Sequence, residues 1–358
     1  MATTALSSNN SDSYLTTEVF LIGGLSILTS LGFWLFFDKS TSLMTISNFA
    51  FAAAFAVNHP HFLSSYILMY GDFSNKIFKE KRYFWSAVIV PILLILILGY
   101  GLYKADKAAI GQLASVMYFL VGWHYVKQIF GFIIVTSAHR KQYYSGFERN
   151  VLLTNLFTIW FLSFLGAQMD ERSYAFYGMP YQSFNLPQWL LQLDQAVLVL
   201  SLIAVIWVHL KKYIDHGIKP APPAVAAFVA IYVWYIPVFS HPAFGYLIPF
   251  FHSLQYLSFV WILKKNQTED RVKSFNGPEA RKAWLKYFVG FVLLSLITGA
   301  LFFEFIPRNL DKLQLLPVDL LGTTPFLAVF LLFINIHHYF IDNTIWRSTN
   351  ETVKKYLF

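Results

Sequence analysis

Long apolar stretches, separated by short polar segments, make up most of this chain. A transmembrane helix needs about 20 mainly apolar residues, and ten segments of the sequence have that character. They are residues 18–37, 43–70, 83–103, 109–137, 150–168, 190–210, 221–240, 242–263, 285–306 and 324–346. The pattern therefore predicts an all-α polytopic transmembrane bundle of about ten helices, which forms a single domain over residues 18–348.

Polar tails flank this domain at both ends. Residues 1–17 repeat Ser and Asn, a composition typical of a disordered segment. They lack the basic start of a secretory signal peptide, and the apolar run that follows them is long. We interpret that run as the first span, and residues 349–358 as a short cytoplasmic C-terminal tail.

The composition agrees with a chain that lies in a bilayer. Hydrophobic residues make up 56% of the sequence and charged residues 13%, whereas a soluble domain carries about 25% charged residues. So few charges could not cover so much apolar surface in water. The chain contains no Cys, which excludes disulfides, thiolate catalysis and metal sites built on thiolates.

The net charge of +8 reports on topology and does not indicate binding to nucleic acid. Cytoplasmic loops of membrane proteins are rich in Lys and Arg. Of the 27 basic residues, 20 fall in the C-terminal tail and in the loops after even-numbered spans, 6 fall on the other side, and Lys127 lies inside the fourth span. This split predicts an even number of spans and two cytoplasmic termini, as in a multi-pass protein of a bacterial inner membrane.

Six of the ten histidines lie deep in predicted spans with even numbers. Counted from the next charged residue along the chain, at about 1.5 Å of rise per residue, their imidazoles share one slab of the bilayer. His61 precedes Asp72 by 11 residues, for example, and His252 precedes Lys264 by 12. The six are His59, His61, His124, His252, His337 and His338.

Each of the four helices also carries a polar residue about one turn from a histidine, on the same helix face. Ionisable groups inside a membrane are costly and mark functional sites, and neutral imidazole is the commonest metal ligand. We therefore predict that the six histidines bind metal and that their polar neighbours orient them, as such groups commonly do. These neighbours are Asn58, Gln128, Gln255 and Asp342, of which Asp342 is also a candidate ligand.

The segment around Pro60 needs a separate argument. His59 and His61 are two residues apart and would face roughly opposite sides of a straight helix. A proline removes a backbone hydrogen bond and kinks a helix, so we expect the kink to turn both rings toward one centre.

Other side chains near the histidines are candidates for catalysis. Tyr125, Tyr256 and Tyr339 each follow or neighbour a predicted ligand, where a hydroxyl could donate a hydrogen bond to an oxygen species. Lys127 is a candidate counter-charge or substrate anchor, or a partner of Asp342. The other four histidines lie near span ends, where surface roles fit; they are His139, His209, His216 and His241.

The pairs His59-Pro60-His61 and His337-His338 resemble the paired histidines of integral-membrane non-haem iron oxygenases. That histidine-cluster group includes fatty-acid desaturases and hydroxylases and the bacterial Brp/Blh carotene-cleaving dioxygenases. The His-x3-His and His-x2-His-His boxes of desaturases are absent here. The resemblance implies one or two His-ligated iron ions, a di-iron centre above all, that oxidise an acyl lipid, carotenoid or isoprenoid with help from an electron-donor protein.

Two other functions fit the same polar layer. A proton-coupled transporter would line its path with these histidines, and inverted repeats or helices broken at the midplane would favour it. A membrane cytochrome would use pairs of histidines to hold haem. Copper is an alternative to iron, because imidazole suits both metals.

Overall fold

The computed structural model describes residues 17–36, 42–169, 173–239, 242–347 and 349–357. Within these residues the fold is the predicted all-α bundle, and nine helices are long and apolar enough to cross a membrane. Most of the predicted disordered tail lies outside the described residues, as do His241, Lys39 and Arg172. In chain order the helices are α1 (Thr17–Leu35), α2 (Ser42–Ala56), α3 (Asn58–Ile67), α4 (Lys81–Tyr103), α5 (Lys107–Ala138), α6 (Gly146–Gln168), α7 (Gln188–His216), α8 (Pro222–Phe239), α9 (Phe244–Val272), α10 (Gly277–Lys312), α11 (Pro325–Ile345) and α12 (Glu351–Leu357).

The predicted second span is two helices, because the chain breaks between α2 and α3. Val57 has φ −126° and ψ −56°, outside the helical region. Pro60 lacks an N–H, and its ring clashes with the carbonyl group four residues earlier in a continuous helix. That carbonyl belongs to Ala56, where α2 ends. After the break, α3 continues through a π-helical turn, Leu68–Asp72.

The four histidine-bearing helices α3, α5, α9 and α11 pack as neighbours. α3 contacts α9 and α11, α11 contacts α5, and Gln128 of α5 donates a hydrogen bond to the His252 carbonyl of α9 at 3.0 Å. Asp72, at the end of the π turn after α3, accepts a hydrogen bond from Lys264 of α9 at 2.7 Å. Because His61 and His252 precede these bonded residues by nearly equal lengths of chain, the two rings lie at the same depth.

Both described ends of the chain lie at the same end of the bundle. Arg140, just after α5, pairs with Glu18 of α1 at 2.7 Å. The neighbouring His139 donates from Nε2 to the Leu357 carbonyl of α12 at 2.6 Å. Termini on one side require an even number of crossings, which agrees with ten spans when the broken α2–α3 segment counts as one.

A small hairpin lies at the opposite end of the bundle. Its strands are β1 (Ser173–Phe176) and β2 (Met179–Gln182), paired antiparallel. The turn residues Tyr177 and Gly178 both have positive φ, which suits a two-residue hairpin turn with Gly second. Thr324, just before α11, donates to the Tyr177 carbonyl at 2.9 Å, so the loops after α6 and α10 meet here.

The packing of α10 against α3 gives the first prediction. A Cβ on Gly299 of α10 would lie 2.7 Å from the Cβ of His59, and small residues are what let membrane helices approach closely. Gly299→Ala should therefore destabilise the bundle by about 1–3 kcal/mol, measured as a lower thermal unfolding temperature in detergent. Gly290→Ala on the same helix is the control, because nothing lies within 4 Å of its Cβ position. Equal unfolding temperatures for the two variants would contradict the close α3–α10 contact.

The lack of Cys makes the predicted orientation testable without background labelling. Lys273, after α9, and Asp319, in the segment between α10 and α11, lie on opposite sides of the bundle by the alternation of spans. In intact cells, a membrane-impermeant maleimide should label Asp319→Cys and spare Lys273→Cys, because the distribution of basic residues predicts that the latter faces the cytoplasm. The reverse labelling pattern would invert the predicted topology.

Candidate metal centre

Four histidines from four different helices converge in the middle of the bundle. The ring centroid of His61 lies 4.6 Å from that of His338 and 4.9 Å from that of His252. The ring of His124 lies 4.9 Å from His252 and 5.0 Å from His338. All four are buried, and the expected proximity of His61 and His338 is confirmed.

A carboxylate completes this cluster from the next turn of α11. Oδ2 of Asp342 lies 3.3 Å from Nε2 of His338 and 3.7 Å from Nε2 of His124. Ligand atoms of His61, His124, His338 and Asp342 all lie within 4.8 Å of one another. With bonds of about 2.1 Å to a metal, two ligands are at most roughly 4.2 Å apart, so small shifts would close these four around one ion.

His252 supplies a fifth donor beside that set. Its Nε2 lies 3.1 Å from Nε2 of His124, and the ring is fully packed, with 1% of the residue exposed. We call the five residues His61, His124, His252, His338 and Asp342 the metal cluster. Four imidazoles and one carboxylate form a donor set of nitrogen and oxygen only.

Several inward atoms of the metal cluster lack hydrogen-bond partners among the described residues. They include Nε2 of His61, Nε2 of His338 and Oδ2 of Asp342. A buried polar group without a partner costs roughly 1–3 kcal/mol by mutational measurements. These atoms point into one small region, so a single bound cation would satisfy all of them. The residues therefore fit a metal ion.

Outward atoms of two cluster residues, His61 and Asp342, are in contrast held by neighbouring side chains. Nδ1 of His61 lies 2.7 Å from the Ser253 hydroxyl, an arrangement that directs the ring's Nε2 inward. Oδ1 of Asp342 accepts from Ser65 at 2.6 Å and from Tyr256 at 3.0 Å. Such partners fix ligand orientation in metal sites.

This network extends one step further toward the end of α11. The indole N–H of Trp346 donates to the Tyr256 hydroxyl at 3.0 Å, and Ser65 also contacts that hydroxyl. Ser65, Ser253 and Trp346 were not among the predicted residues. Ser65 follows His61 by four and Trp346 follows Asp342 by four, so the same helical spacing that singled out Asp342 would have found both.

His59 and His337 do not join the cluster, which corrects the prediction that all six deep histidines bind metal. The His59 ring stacks on Phe303 of α10, with centroids 4.6 Å apart. His337 donates from Nε2 to the Ser86 carbonyl of α4 at 2.8 Å. Successive helical residues are turned by about 100°, and the break at Val57 precedes both His59 and His61, so it cannot rotate one ring relative to the other.

Three of the predicted orienting residues form no hydrogen bond to an imidazole nitrogen within the described part of the chain. Gln128 reaches the His252 carbonyl, and Gln255 donates to the Ile22 carbonyl of α1. Oδ1 of Asn58 has no hydrogen-bond partner among the described residues. The two glutamines therefore tie helices together, and Asp342 alone of the four predicted residues reaches the rings.

The predicted catalytic side chains divide in the same way. Tyr125 packs against His252, with ring centroids 4.1 Å apart, and Tyr256 bonds to Asp342. The Tyr339 hydroxyl instead donates to Asn335 at 3.2 Å. The Tyr339 ring nevertheless packs against that of His124, with centroids 5.0 Å apart. Lys127 is exposed and forms no ion pair with Asp342 in the described part of the chain.

Two of the histidines near span ends, His139 and His209, have local partners. His209 donates from Nδ1 to the Val205 carbonyl at 2.9 Å and lies 3.1 Å from the Tyr144 hydroxyl. His139 contacts the C-terminal helix as described above, and His216 is exposed in the last turn of α7. These positions agree with surface roles.

Adjacent histidines provide matched tests of the cluster. His338→Ala and His61→Ala should each reduce bound metal in the purified protein by most of its wild-type content, because each removes a converging ligand. His337→Ala and His59→Ala remove a ring of the same kind, one or two residues away, and should retain the metal. Inductively coupled plasma analysis with thermal unfolding measures both; equal metal content in all four variants would exclude this ligand set.

Comparison with protein-family models, with curated proteins and with solved structures gives no match for this chain. The resemblance to histidine-cluster oxygenases therefore depends on the pattern of histidines alone. The functional argument starts from the geometry of the metal cluster.

Proposed function

We propose that this chain is a metal-dependent membrane oxidoreductase that acts on a lipophilic substrate. The more specific form of the proposal is that it is an oxygenase. The observation that carries the proposal is the convergence of five buried donors, several of them without other partners, deep within membrane-spanning helices. A site of that kind is expensive to build in a bilayer, and structural packing alone does not require it.

The number and type of donors favour one redox-active ion. Four histidines exceed the three protein ligands of typical catalytic zinc sites, and imidazole also suits iron and copper. His59 and His337 face other helices, which leaves too few donors for the two-iron centre suggested by the sequence resemblance. We therefore infer a single ion, with iron first and copper second.

The position of the cluster argues for a substrate that partitions into lipid. His61 lies 11 residues before Asp72, or roughly 16 Å along a helix of 1.5 Å rise per residue. Acyl lipids, carotenoids and other isoprenoids reach that depth from the bilayer itself. Bound iron would supply the redox chemistry, while the chain holds the ion, excludes water and places Tyr256 beside Asp342. An electron-donor protein would act from the cytoplasmic end.

The packing of the rings disfavours the cytochrome alternative. Adjacent rings of the cluster are only 4.6–5.0 Å apart between centroids. A haem with two axial histidines lies between the two imidazoles. Rings as close together as these leave no room for its macrocycle. The same four rings close readily around a single ion.

One observation favours the transport alternative, namely the helix break at Val57 beside the cluster. Broken helices near the midplane mark the substrate sites of many transporters. The sequence contains no inverted repeat to accompany the break, so we place transport second.

Metal content and an optical spectrum of the purified protein separate these functions. The proposal expects about one iron per chain, no Soret band, and oxygen uptake that depends on an added lipophilic substrate and a reductant. His338→Ala should abolish that uptake, whereas His337→Ala should keep it. A metal-free wild-type protein that carries protons or solutes across vesicles would replace the proposal with transport.

A further inference from the structure

A second polar pocket lies apart from the metal cluster, at the end of the bundle where both described chain termini lie. It has a volume of about 340 Å³ and is enclosed by the segment before α4, the start of α4, the end of α11 and the start of α12. Small-molecule sites commonly have volumes of roughly 300–1,000 Å³. The pocket is thus large enough for a small ligand.

Two arginines face this pocket without an acidic partner in the described part of the chain. They are Arg82, at the start of α4, and Arg347, two residues after α11. Burial, and after it the nearby charge of Arg82, lower the pKa of the Arg347 guanidinium. Two like charges repel when brought together. An anion between the two guanidinium groups would attract both and offset that repulsion.

The other charged groups of the pocket do not neutralise this pair. Lys76 and Glu80 pair with each other at 3.5 Å, and Lys76 also lies 5.3 Å from the ring centroid of Tyr83. Glu351 is exposed in the first turn of α12. The two positive charges of the arginines therefore exceed the one negative charge that remains in the pocket, that of Glu351.

Hydrogen-bond donors remain free on both sides of the pocket. Arg347 donates from Nε and Nη2 to the carbonyl and side chain of Asn343, at 2.7 Å and 3.3 Å, so three of its five N–H groups have no partner among the described residues. The Tyr83 hydroxyl accepts from Asn350 at 3.1 Å, which leaves its proton available. The planar guanidinium of arginine can donate two parallel hydrogen bonds to two oxygens of one phosphate, which the lysine ammonium group cannot do.

We propose that Arg82 and Arg347 form a binding site for a phosphate-type dianion, with Tyr83 as a third donor. Two cations facing one pocket favour a dianion over a monoanion, and charge-assisted bonds from guanidinium to phosphate are among the strongest hydrogen bonds in proteins. The phosphate belongs either to a lipid headgroup at the membrane surface or to a soluble phosphate monoester. The proposal depends on the arginine geometry and is independent of the metal chemistry.

Titration calorimetry on the full-length protein, in an uncharged detergent with about 0.15 M salt to screen nonspecific attraction, tests the site. The probes are inorganic phosphate and short-chain phosphatidic acid. Arg82→Gln and Arg347→Gln should each weaken binding by at least about tenfold, since each removes a charge-assisted fork. Glu351→Gln should strengthen binding, because it removes the opposing carboxylate.

Lys79→Gln is the matched control, because Lys79 is an exposed cation of the same segment that does not line the pocket. If either Gln variant unfolds, Arg82→Lys and Arg347→Lys keep the charge, lose the fork and should still bind more weakly than wild type. Binding of both probes supports a site for soluble phosphate monoesters, and binding of phosphatidic acid alone supports a lipid headgroup. Binding of neither probe, or equal weakening by Lys79→Gln, would overturn the proposal.

Discussion

The structure depends on one constraint, which is that polar groups inside a bilayer must find their partners within the protein. Two residues of the metal cluster obey it on their outer side, where Ser253 holds His61 and the hydroxyls of Ser65 and Tyr256 hold Asp342. The inner atoms of these two residues have no such partners among the described residues. The protein that holds the outer atoms of His61 and Asp342 leaves their inner atoms aimed at one point, and a bound metal ion would account for both facts together.

Helix packing places the cluster, and Pro60 is central to that packing. The break before α3 ends the helix that Pro60 cannot continue, and it gives α3 its own direction between α9, α10 and α11. Gly299 then lets α10 approach the backbone at His59. The proline that suggested a kink bringing two ligands together instead positions a short helix that contributes one ligand, His61, to the cluster.

Hydropathy predicted the bundle and the depth of the histidines well, because both depend on the distribution of apolar residues along the chain. The Asp72–Lys264 ion pair aligns α3 with α9 at the level that counting from charged residues had indicated. The direction of each ring was less predictable. His59 and His61, or His337 and His338, occupy nearly the same depth but different helix faces, and only the neighbouring helices determine which face meets the site.

His59 and His337, which lie outside the cluster, provide a comparison for the four histidines that we propose as metal ligands. His337 has a backbone carbonyl at 2.8 Å and His59 has an aromatic ring stacked on it, which are ordinary ways to accommodate imidazole between helices. The bundle therefore can give a buried histidine a structural partner, and it does so one residue away from His338, although Nδ1 of His337 and Nδ1 of His59 have no hydrogen-bond partner among the described residues. Both ring nitrogens of His338 nevertheless lack such a partner among the described residues, although the ring lies against Asp342 and two other imidazoles. Ring stacking and a backbone hydrogen bond describe the surroundings of His59 and His337, whereas the arrangement around His338 is the one that a metal ion shared with Asp342 and the neighbouring imidazoles would require.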